Sequence, residues 1–397
     1  MGDRLRVAVI GGGLGGLAAG LALLRNGLDV TVYEQAEALG EIGAGVTVYP
    51  NSLRLLERAG LGPALAAVGA TLGEGSEYYR MDGSLVGSIV TRDSSGWNGF
   101  YGMHRADLLN ALAGAIPSEV VRTGHRFLSC EQDEHGARIV FANGEVATAD
   151  VVVGADGIHS ALREFVTESS PPVYSGSRAY RGLVSRDDVP DWRPNAHQVW
   201  MGDGKHFMVY PVRRGELLNY VAFVPTEVST IESWSAVGNR DELVQSFSGG
   251  DPRVTNLLGK VQNCYWWGLY DRAPLKTWTN GRLILVGDAA HAMLPHLGQG
   301  ANQGIEDGFA LAAFLKGSRP ENAPALLESF TAFRRARTDL IQAEARRNGL
   351  RFDSKYKSLD ERDQEIRKTA EFRRWAYDYD VEQAANDAKA QLAGAAV

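Results

Sequence analysis

The chain has few cysteines, and this shortage excludes two classes of protein. Only Cys130 and Cys264 occur in 397 residues, and they lie far apart. Two distant cysteines provide neither a disulfide framework nor the spacing of a structural metal site. A reducing compartment suits such a chain best. We therefore expect no disulfides and assign no metal.

An excess of basic charge and a long apolar segment are also missing. The 41 basic and 48 acidic residues give a net charge of −7, whereas sequence-independent nucleic-acid binding needs an excess of Lys and Arg. No apolar run approaches the roughly 18–20 residues that span a bilayer. The apolar run at 7–10 breaks into glycines, unlike a signal peptide. We expect a cytoplasmic protein with neither a nucleic acid nor a membrane as partner.

The chain does contain a strand–turn–helix–strand pattern at its start. Apolar, β-branched residues predict strands at Arg6–Ile10 and Asp29–Tyr33. Between them lie a glycine-rich turn at 11–16 and a helical pattern at about 17–26. This order and length predict a βαβ unit.

Later segments predict a second kind of sheet. Alternating apolar and polar residues at 206–210 and 218–223 are typical of antiparallel strands with one covered face. By contrast, the continuous apolar segments at 149–153 and 282–286 resemble further strands of the first unit. The first domain is therefore predicted to be discontinuous in sequence.

The last part of the chain is charged and helical in pattern. Its arginines are interpreted as a solvent-exposed helix face; they include Arg334, Arg335, Arg337, Arg346 and Arg347. The alanine-rich end at 383–397 is expected to fray.

The glycine turn matches the dinucleotide-binding pattern G-x-G-x-x-G through Gly11, Gly13 and Gly16. Glycines at these positions allow a tight turn, a close approach of the backbone to a pyrophosphate, and close packing of helix on strand. The helix that follows directs its amide donors and positive dipole end at the phosphates. Glu34, at the end of the second strand, can accept hydrogen bonds from ribose hydroxyls. The pattern predicts a dinucleotide site but does not distinguish NAD from FAD.

Three segments, in this order, resemble the class A flavoprotein aromatic hydroxylases, which share the 4-hydroxybenzoate hydroxylase fold. The first is the glycine turn with Glu34. The second is 154–163, which contains Asp156, and the third is 287–300, which contains Asp288. Three motifs in register between position 6 and about 315 make the resemblance specific.

Other segments resemble the salicylate hydroxylase branch of that family, with salicylate 1-hydroxylase, 3-hydroxybenzoate 6-hydroxylase and 6-hydroxynicotinate 3-monooxygenase. They lie at 43–47, 50–51, 104–108, 179–182, 206–211, 270–272 and 375–380. Three positions depart from individual members. Tyr210 stands where salicylate 1-hydroxylases tend to have Phe, Pro295 where the 3-hydroxybenzoate enzyme has Gln, and Thr47 where the 6-hydroxynicotinate enzyme has His.

The resemblance implies an α/β fold with a Rossmann-like FAD-binding domain, an inserted antiparallel-sheet substrate domain and a C-terminal helical segment. The FAD-binding domain is assigned to 1–71, 101–169 and 281–320. The substrate domain is assigned to 72–100 and 170–280, and the C-terminal helical region to 321–397.

The resemblance also implies a set of site residues. His206 and His296 are candidate bases, because an imidazole with a pKa near 6.5 suits removal of a phenol proton. Tyr210 is a candidate pocket residue and is grouped with these two as catalytic. The predicted FAD ligands are Gly11, Gly13, Leu14, Gly15, Gly16, Glu34, Gln35, Arg105, Asp156, Asp288, Pro295, Gly298, Gly300 and Ala301.

The predicted activity is hydroxylation of a small aromatic hydroxy acid by an FAD monooxygenase that consumes NADH or NADPH and O2 through a flavin C4a-hydroperoxide. A salicylate 1-hydroxylase-like reaction, with or without loss of CO2, is favoured. The 3-hydroxybenzoate and 6-hydroxynicotinate reactions remain alternatives. Two other classes of protein remain as alternatives: an NAD-dependent dehydrogenase and a non-catalytic flavin-binding protein. A homodimer is compatible with the chain.

Overall fold

The structure is a computed structural model, and it describes residues 4–40, 44–168, 170–226 and 236–395. Gly43, the first residue of the segment 43–47, lies outside the described residues. Within those ranges, no helix has the length and apolar character that crossing a bilayer requires.

The strands, in chain order, are β1 Arg6–Ile10, β2 Asp29–Tyr33, β3 Gly45–Val48, β4 Ala70–Thr71, β5 Glu77–Arg80, β6 Leu85–Ser88, β7 Tyr101–His104, β8 Val121–Arg122, β9 Phe127–Gln132, β10 Ala137–Phe141, β11 Val146–Ala149, β12 Val151–Gly154, β13 Val173–Ser185, β14 Gln198–Gly202, β15 Lys205–Val212, β16 Leu217–Pro225, β17 Ala236–Val237, β18 Tyr265–Asp271, β19 Thr279–Asn280 and β20 Leu283–Leu285.

The helices are α1 Leu14–Arg25, α2 Pro50–Arg58, α3 Gly62–Val68, α4 Arg105–Gly114, α5 Arg163–Val166, α6 Arg240–Ser246, α7 Pro252–Lys260, α8 Asp288–His291, α9 Gly300–Leu315, α10 Ala323–Phe352, α11 Leu359–Asp378 and α12 Val381–Ala395.

A six-stranded sheet in the order β19-β20-β12-β1-β2-β8 carries the first domain. Its strands run parallel except at the β19–β20 edge. The strands β1, β12 and β20 are apolar along nearly their whole length because both faces of the sheet are covered. The predicted discontinuous sheet is therefore confirmed, since its strands come from three separate parts of the chain.

The second large sheet has the order β17-β18-β13-β16-β15-β14-β5-β6. Its pairs are antiparallel except β14 with β5. The alternating segments predicted at 206–210 and 218–223 form the centres of β15 and β16. Together with the C-terminal helices, these two sheets confirm the predicted fold class; the exact domain boundaries stay a prediction.

Helix α9 packs closely on α1 and brings the third motif to the first. A Cβ atom on Gly308 would lie 2.6 Å from the Cα of Ala19, so only glycine permits this approach. The carboxyl ends of β1, β12 and β20 therefore meet the N-termini of α1 and α9 at one edge of the sheet. Open α/β sheets bind their ligands at this edge.

The prediction that the arginines of the last segment form an exposed face is wrong for two of them. Arg334 and Arg337 are 0% and 6% exposed. Both donate to Glu306 at 2.8–2.9 Å, and Arg334 also donates to Asp307 at 2.8 Å. The cause is the pair of acids on α9, which are fully buried and need cationic partners. This network fixes α10 to α9.

Replacing Glu306 by Gln should destabilise the fold by about 3–5 kcal/mol, because two buried guanidinium groups lose their shared carboxylate. Burial disfavours the ionised form of Glu306, but Arg337 and Arg334 outweigh it and lower its pKa from 4.5 to about 2. A lowered folded-state pKa contributes stability that is fully present above about pH 4.5 and is lost as the pH falls towards 2. Urea unfolding measured across this range checks both effects.

A matched control is Glu321→Gln, in an exposed pair with Arg319 at 3.9 Å. Removing that exposed carboxylate should change the free energy of unfolding by less than about 1 kcal/mol. Equal effects of the two substitutions would show that the buried network is not what stabilises the α9–α10 contact.

The expected fraying of the C-terminus is wrong for the described part. Helix α12 continues to Ala395, and Val381 and Ala385 are fully buried. Its small alanine side chains permit close packing against α9, and Lys389 donates to the carbonyl of Ala313 at 3.3 Å. An alanine-rich sequence is a good helix former as well as a candidate for disorder, and packing decides between the two.

Candidate active site

A cavity of about 510 Å³ lies between the two large sheets. Ten of the predicted site residues line it: Gln35, Arg105, Asp156, Tyr210, Asp288, Pro295, His296, Gly298, Gly300 and Ala301. The glycine turn, Glu34 and His206 lie outside this lining. Parts of the second and third motifs therefore meet at one cleft, together with Gln35, which follows the first motif.

The glycine turn has the geometry of a phosphate-binding turn. Gly11 has a φ of +109°, and a Cβ atom on Gly16 would lie 1.9 Å from the carbonyl oxygen of Gly11. Helix α1 begins at Leu14, earlier than the predicted position 17, and no side chain caps its first turn. The amides of that turn therefore have no side-chain acceptor from the cap position. A Cβ atom on Gly13 would meet nothing within 4 Å, so the space in front of the turn is open.

Glu34 closes the other side of this turn. Its two carboxylate oxygens accept from the amides of Gly12 at 2.7 Å and Ala36 at 2.8 Å. Each oxygen has further lone-pair capacity for a hydroxyl group. Glu34 therefore stands where a ribose partner is expected, at the end of β2, and Gln35 follows at the cavity wall.

Asp156 stands on a loop and Asp288 begins helix α8, and one buried arginine joins the two segments. Asp156 accepts from the amides of Ala161 at 2.8 Å and Leu162 at 3.2 Å through one oxygen. Its other oxygen is buried without a partner in the structure. Such an oxygen needs a donor, and a hydroxyl-bearing cofactor provides one.

The joining residue is Arg163, the last residue of the second motif, which the sequence alone did not indicate as a site residue. Its guanidinium donates to the carbonyls of Ile158 at 2.9 Å, Ala289 at 2.8 Å and Asp288 at 3.2 Å. Burial, followed by the charge of Arg272, lowers the pKa of Arg163 to about 10, so it stays protonated. Arg163 therefore holds the second and third motifs in register.

Arg105 lies at the N-terminus of α4 and lines the cavity. Burial lowers its pKa, whereas the negative charge of Asp288 raises it. The carboxylate of Asp288 is therefore close enough to act electrostatically on Arg105, and both residues line the cavity. An amide-lined turn, an orphaned acid oxygen and an opposed Arg–Asp pair suit a dinucleotide with hydroxyl groups, so FAD fits these residues.

The third motif ends in a left-handed turn before α9. Pro295–Leu297 forms a short 3₁₀ turn, and Gly298 has a φ of +68°. A Cβ atom on Gly298 would lie 2.7 Å from the hydroxyl oxygens of Thr47 and Tyr49. Helix α9 then begins at Gly300 without a side-chain cap, so its first amides remain available for negative charge.

His296 lies in that turn, with its ring in the cavity wall. The ring is 6% exposed and its Nδ1 has no partner in the structure. Burial and then the neighbouring His206 lower the pKa of His296 well below 6.5. The Nδ2 of Asn348 holds its carbonyl at 2.7 Å, and a Cβ atom on Gly349 would clash with its ring. His296 is therefore a neutral, firmly packed imidazole that faces the cavity.

His206 lies behind His296. It is fully buried, and its ring centroid is 5.1 Å from that of His296. Its Nδ1 contacts Oδ1 of Asp353 at 2.8 Å, while its Nε2 has no partner in the structure. The structure therefore brings His206 next to the cavity-lining histidine but not into the cavity itself.

Tyr210 lies in the wall, and three further polar residues there escaped sequence reasoning. Burial raises the pKa of Tyr210, so its hydroxyl stays neutral. The additional residues are His197, Asn219 and Arg373. Asn219 accepts from the amide of Gly45 at 2.7 Å, and its Nδ2 is buried without a partner. No local pattern marks any of the three.

Comparisons with known proteins agree with this geometry. The family model described as FAD binding domain matches residues 4–345. A 3-amino-4-hydroxybenzoate 2-monooxygenase from Streptomyces platensis is 38% identical over 88% of this chain and 89% of its own. A salicylate hydroxylase from Pseudomonas putida is 31% identical over 98% and 95%. A solved salicylate hydroxylase substrate complex superposes with a TM-score of 0.86 at 29% identity, covering 98% of both chains.

The chain therefore belongs to the FAD-binding-domain family of flavoproteins, and FAD is its cofactor. Within that family it is an FAD-dependent aromatic hydroxylase of the salicylate hydroxylase family. The predicted resemblance, enzyme class and cofactor are confirmed. The dehydrogenase and the non-catalytic protein are thereby set aside.

Proposed function

We propose that this enzyme hydroxylates a single-ring aromatic acid that carries a ring hydroxyl, with salicylate as the first substrate to test. One observation carries the proposal: a neutral imidazole, that of His296, lines an otherwise largely apolar cavity beside the flavin-binding loops. The apolar wall, which includes Phe223 and Phe352, suits a flat ring. Bound FAD supplies the activation of O2 after reduction by NAD(P)H.

His296 removes the proton from the substrate hydroxyl. Its lowered pKa keeps the imidazole unprotonated at neutral pH, so a lone pair is available to accept that proton. A phenolate ring is more electron-rich than a phenol and attacks an electrophilic oxygen faster. If oxygen enters at the carboxyl-bearing carbon of salicylate, the products are catechol, CO2 and water.

His206 acts through His296 rather than on the substrate directly. Asp353 fixes the Nδ1 side of His206, which aims the rest of the ring at the neighbouring His296. The Asp353 side chain is 17% exposed. Asp353 therefore stands between the buried ring of His206 and solvent. The catalytic roles predicted for both histidines are thus retained as one proposal with an order: His296 first, His206 second.

A second candidate is 3-amino-4-hydroxybenzoate. It is favoured by the 38% identity with a monooxygenase named for that substrate. Tyr210 also stands where salicylate 1-hydroxylases tend to have Phe, which makes this pocket more polar. The same residues would act on its hydroxyl, so the two candidates differ in substrate and not in the role of His296.

A substrate panel decides between them. FAD-loaded enzyme is incubated with NADH or NADPH and salicylate, 3-amino-4-hydroxybenzoate, 3-hydroxybenzoate or 6-hydroxynicotinate, and the product is identified by mass. We expect product from salicylate, with release of CO2, and more product than from the others. A hydroxylated product from 3-amino-4-hydroxybenzoate alone establishes the second candidate. NAD(P)H consumption without product from any of the four contradicts the proposal.

A further inference from the structure

One buried cation in the cavity wall lacks an acidic partner. Arg373 on α11 is 5% exposed, and its Nε and Nη1 donate to the hydroxyls of Tyr78 at 3.1 Å and Tyr377 at 3.2 Å. Among the residues that the structure describes, no carboxylate forms an ion pair with it. Burial raises the pKa of Tyr377 despite the opposing charge of Arg373, so the hydroxyl of Tyr377 is neutral. The guanidinium of Arg373 is therefore hydrogen-bonded, but no acidic group neutralises its positive charge.

Three other buried arginines of this chain have carboxylate partners, whereas Arg163 and Arg282 donate to backbone carbonyls. Arg334 and Arg337 share Glu306, and Arg351 pairs with Glu344. A buried charge without a partner is costly, so a fold retains one where a ligand supplies the counter-charge. Arg373 differs from these three because it lines the cavity, where a ligand can reach it.

His197 provides a second, independent observation at the same place. It lines the cavity at 5% exposure, and neither of its ring nitrogens has a partner in the structure. Burial, followed by the charge of Arg373, lowers the pKa of His197 to about 3. It is therefore a neutral imidazole with one N–H to donate, and a buried donor of this kind calls for an acceptor.

We propose that Arg373 and His197 form the subsite for the carboxylate of the substrate. This inference rests on the proposed function and names the group that orients the ring. A guanidinium with free capacity and a neutral N–H match a carboxylate, which accepts several hydrogen bonds. The other cations of the wall are Arg105, which has the negative charge of Asp288 nearby, and Arg181, which lies over the ring of Trp267 at 5.1 Å.

The placement makes the C-terminal helices part of the active site. Helix α11 supplies Arg373, while the loop before α9 supplies His296. A substrate whose carboxylate is bound by Arg373 and whose hydroxyl is bound by His296 has a single orientation in the cavity. The spacing of the two groups on the ring then decides which acids are accepted.

The test compares two probes that differ in charge only. Benzoate and benzamide are titrated into the FAD-loaded full-length protein, and binding is followed by perturbation of the flavin absorbance and by calorimetry. Wild type should bind benzoate more tightly than benzamide. Arg373→Gln should weaken benzoate binding roughly 10- to 100-fold and leave benzamide binding nearly unchanged. Arg373→Lys should retain part of the preference, because it keeps the charge but loses the planar fork.

The matched control is Arg374→Gln, the same change one residue along α11 at an exposed position, which should leave both affinities unaltered. Three results overturn the proposal. The first is the absence of a preference for benzoate in the wild type, a result that does not depend on the folding of any variant. The second is an unchanged preference in an Arg373→Gln variant that has full FAD content. The third is loss of the preference in Arg181→Gln rather than in Arg373→Gln. Binding is measured without turnover, so the result of this test does not depend on the outcome of the substrate panel.

Discussion

Replacing His296 by Gln should lower the rate of product formation by about 10²- to 10⁴-fold, the usual contribution of a positioned general base. Gln keeps the approximate size and polarity of the side chain but cannot accept the proton at neutral pH. FAD content should stay at the wild-type level. Consumption of NAD(P)H should continue while product falls, because reduction of the flavin does not require the deprotonated hydroxyl.

The pKa of His296 also predicts how kcat/KM depends on pH. The lowered pKa of His296 means that its neutral form persists well below pH 6.5. The acidic limb of kcat/KM due to this group should therefore lie below 6.5 in wild type and be absent in the variant. His135→Gln is the matched control, since His135 is 84% exposed and should show wild-type rates. An unchanged rate of product formation in His296→Gln would show that His296 is not the general base.

Replacing Gly16 by Ala should abolish tight FAD binding, weakening it by about 100-fold or more. A Cβ atom at this position would lie 1.9 Å from the carbonyl oxygen of Gly11 and 3.3 Å from the Cβ of Ala155. Both neighbours belong to the turn and to the strand edge, so they cannot move without shifting the amides that face the pyrophosphate. A displacement of about 1 Å in a positioned group costs on the order of 100-fold. Equilibrium dialysis of FAD with the apoprotein measures the effect.

The control is Gly259→Ala, which adds the same methyl group to a helical glycine where a Cβ atom meets nothing within 4 Å. Its FAD affinity should equal that of wild type, and its helix should gain slightly in stability. The prediction fails if Gly16→Ala binds FAD as tightly as this control does.

The parts of the fold that sequence reasoning predicted depend on local patterns. Strands β1 and β2 are short apolar runs bounded by turn residues, and the glycines between them have backbone roles that few other residues can fill. Helix α1 begins at Leu14, inside the motif, because the turn itself supplies the first amides. The expected start at 17 missed this because glycine is a poor helix former.

The parts that were missed depend on pairing over long sequence separations. Nothing near Arg334 in sequence indicates that Glu306, on another helix, will bury with it. A charge pattern alone favours an exposed face for such a residue. His197 and Arg373 were missed for the same reason, since only folding brings the residue before β14 close to helix α11. Resemblance indicated His206, but its place behind His296 depends on the folded chain.

The central claim is that three distant segments hold one flavin beside a pocket for an aromatic acid. Crystals grown with FAD and salicylate test it most directly. The account predicts FAD density running from the turn at Gly11–Gly16 past Asp156 and Asp288, with salicylate between His296 and Arg373, its hydroxyl at the former and its carboxylate at the latter. Flavin density away from these three segments, or salicylate bound outside this cavity, would contradict it.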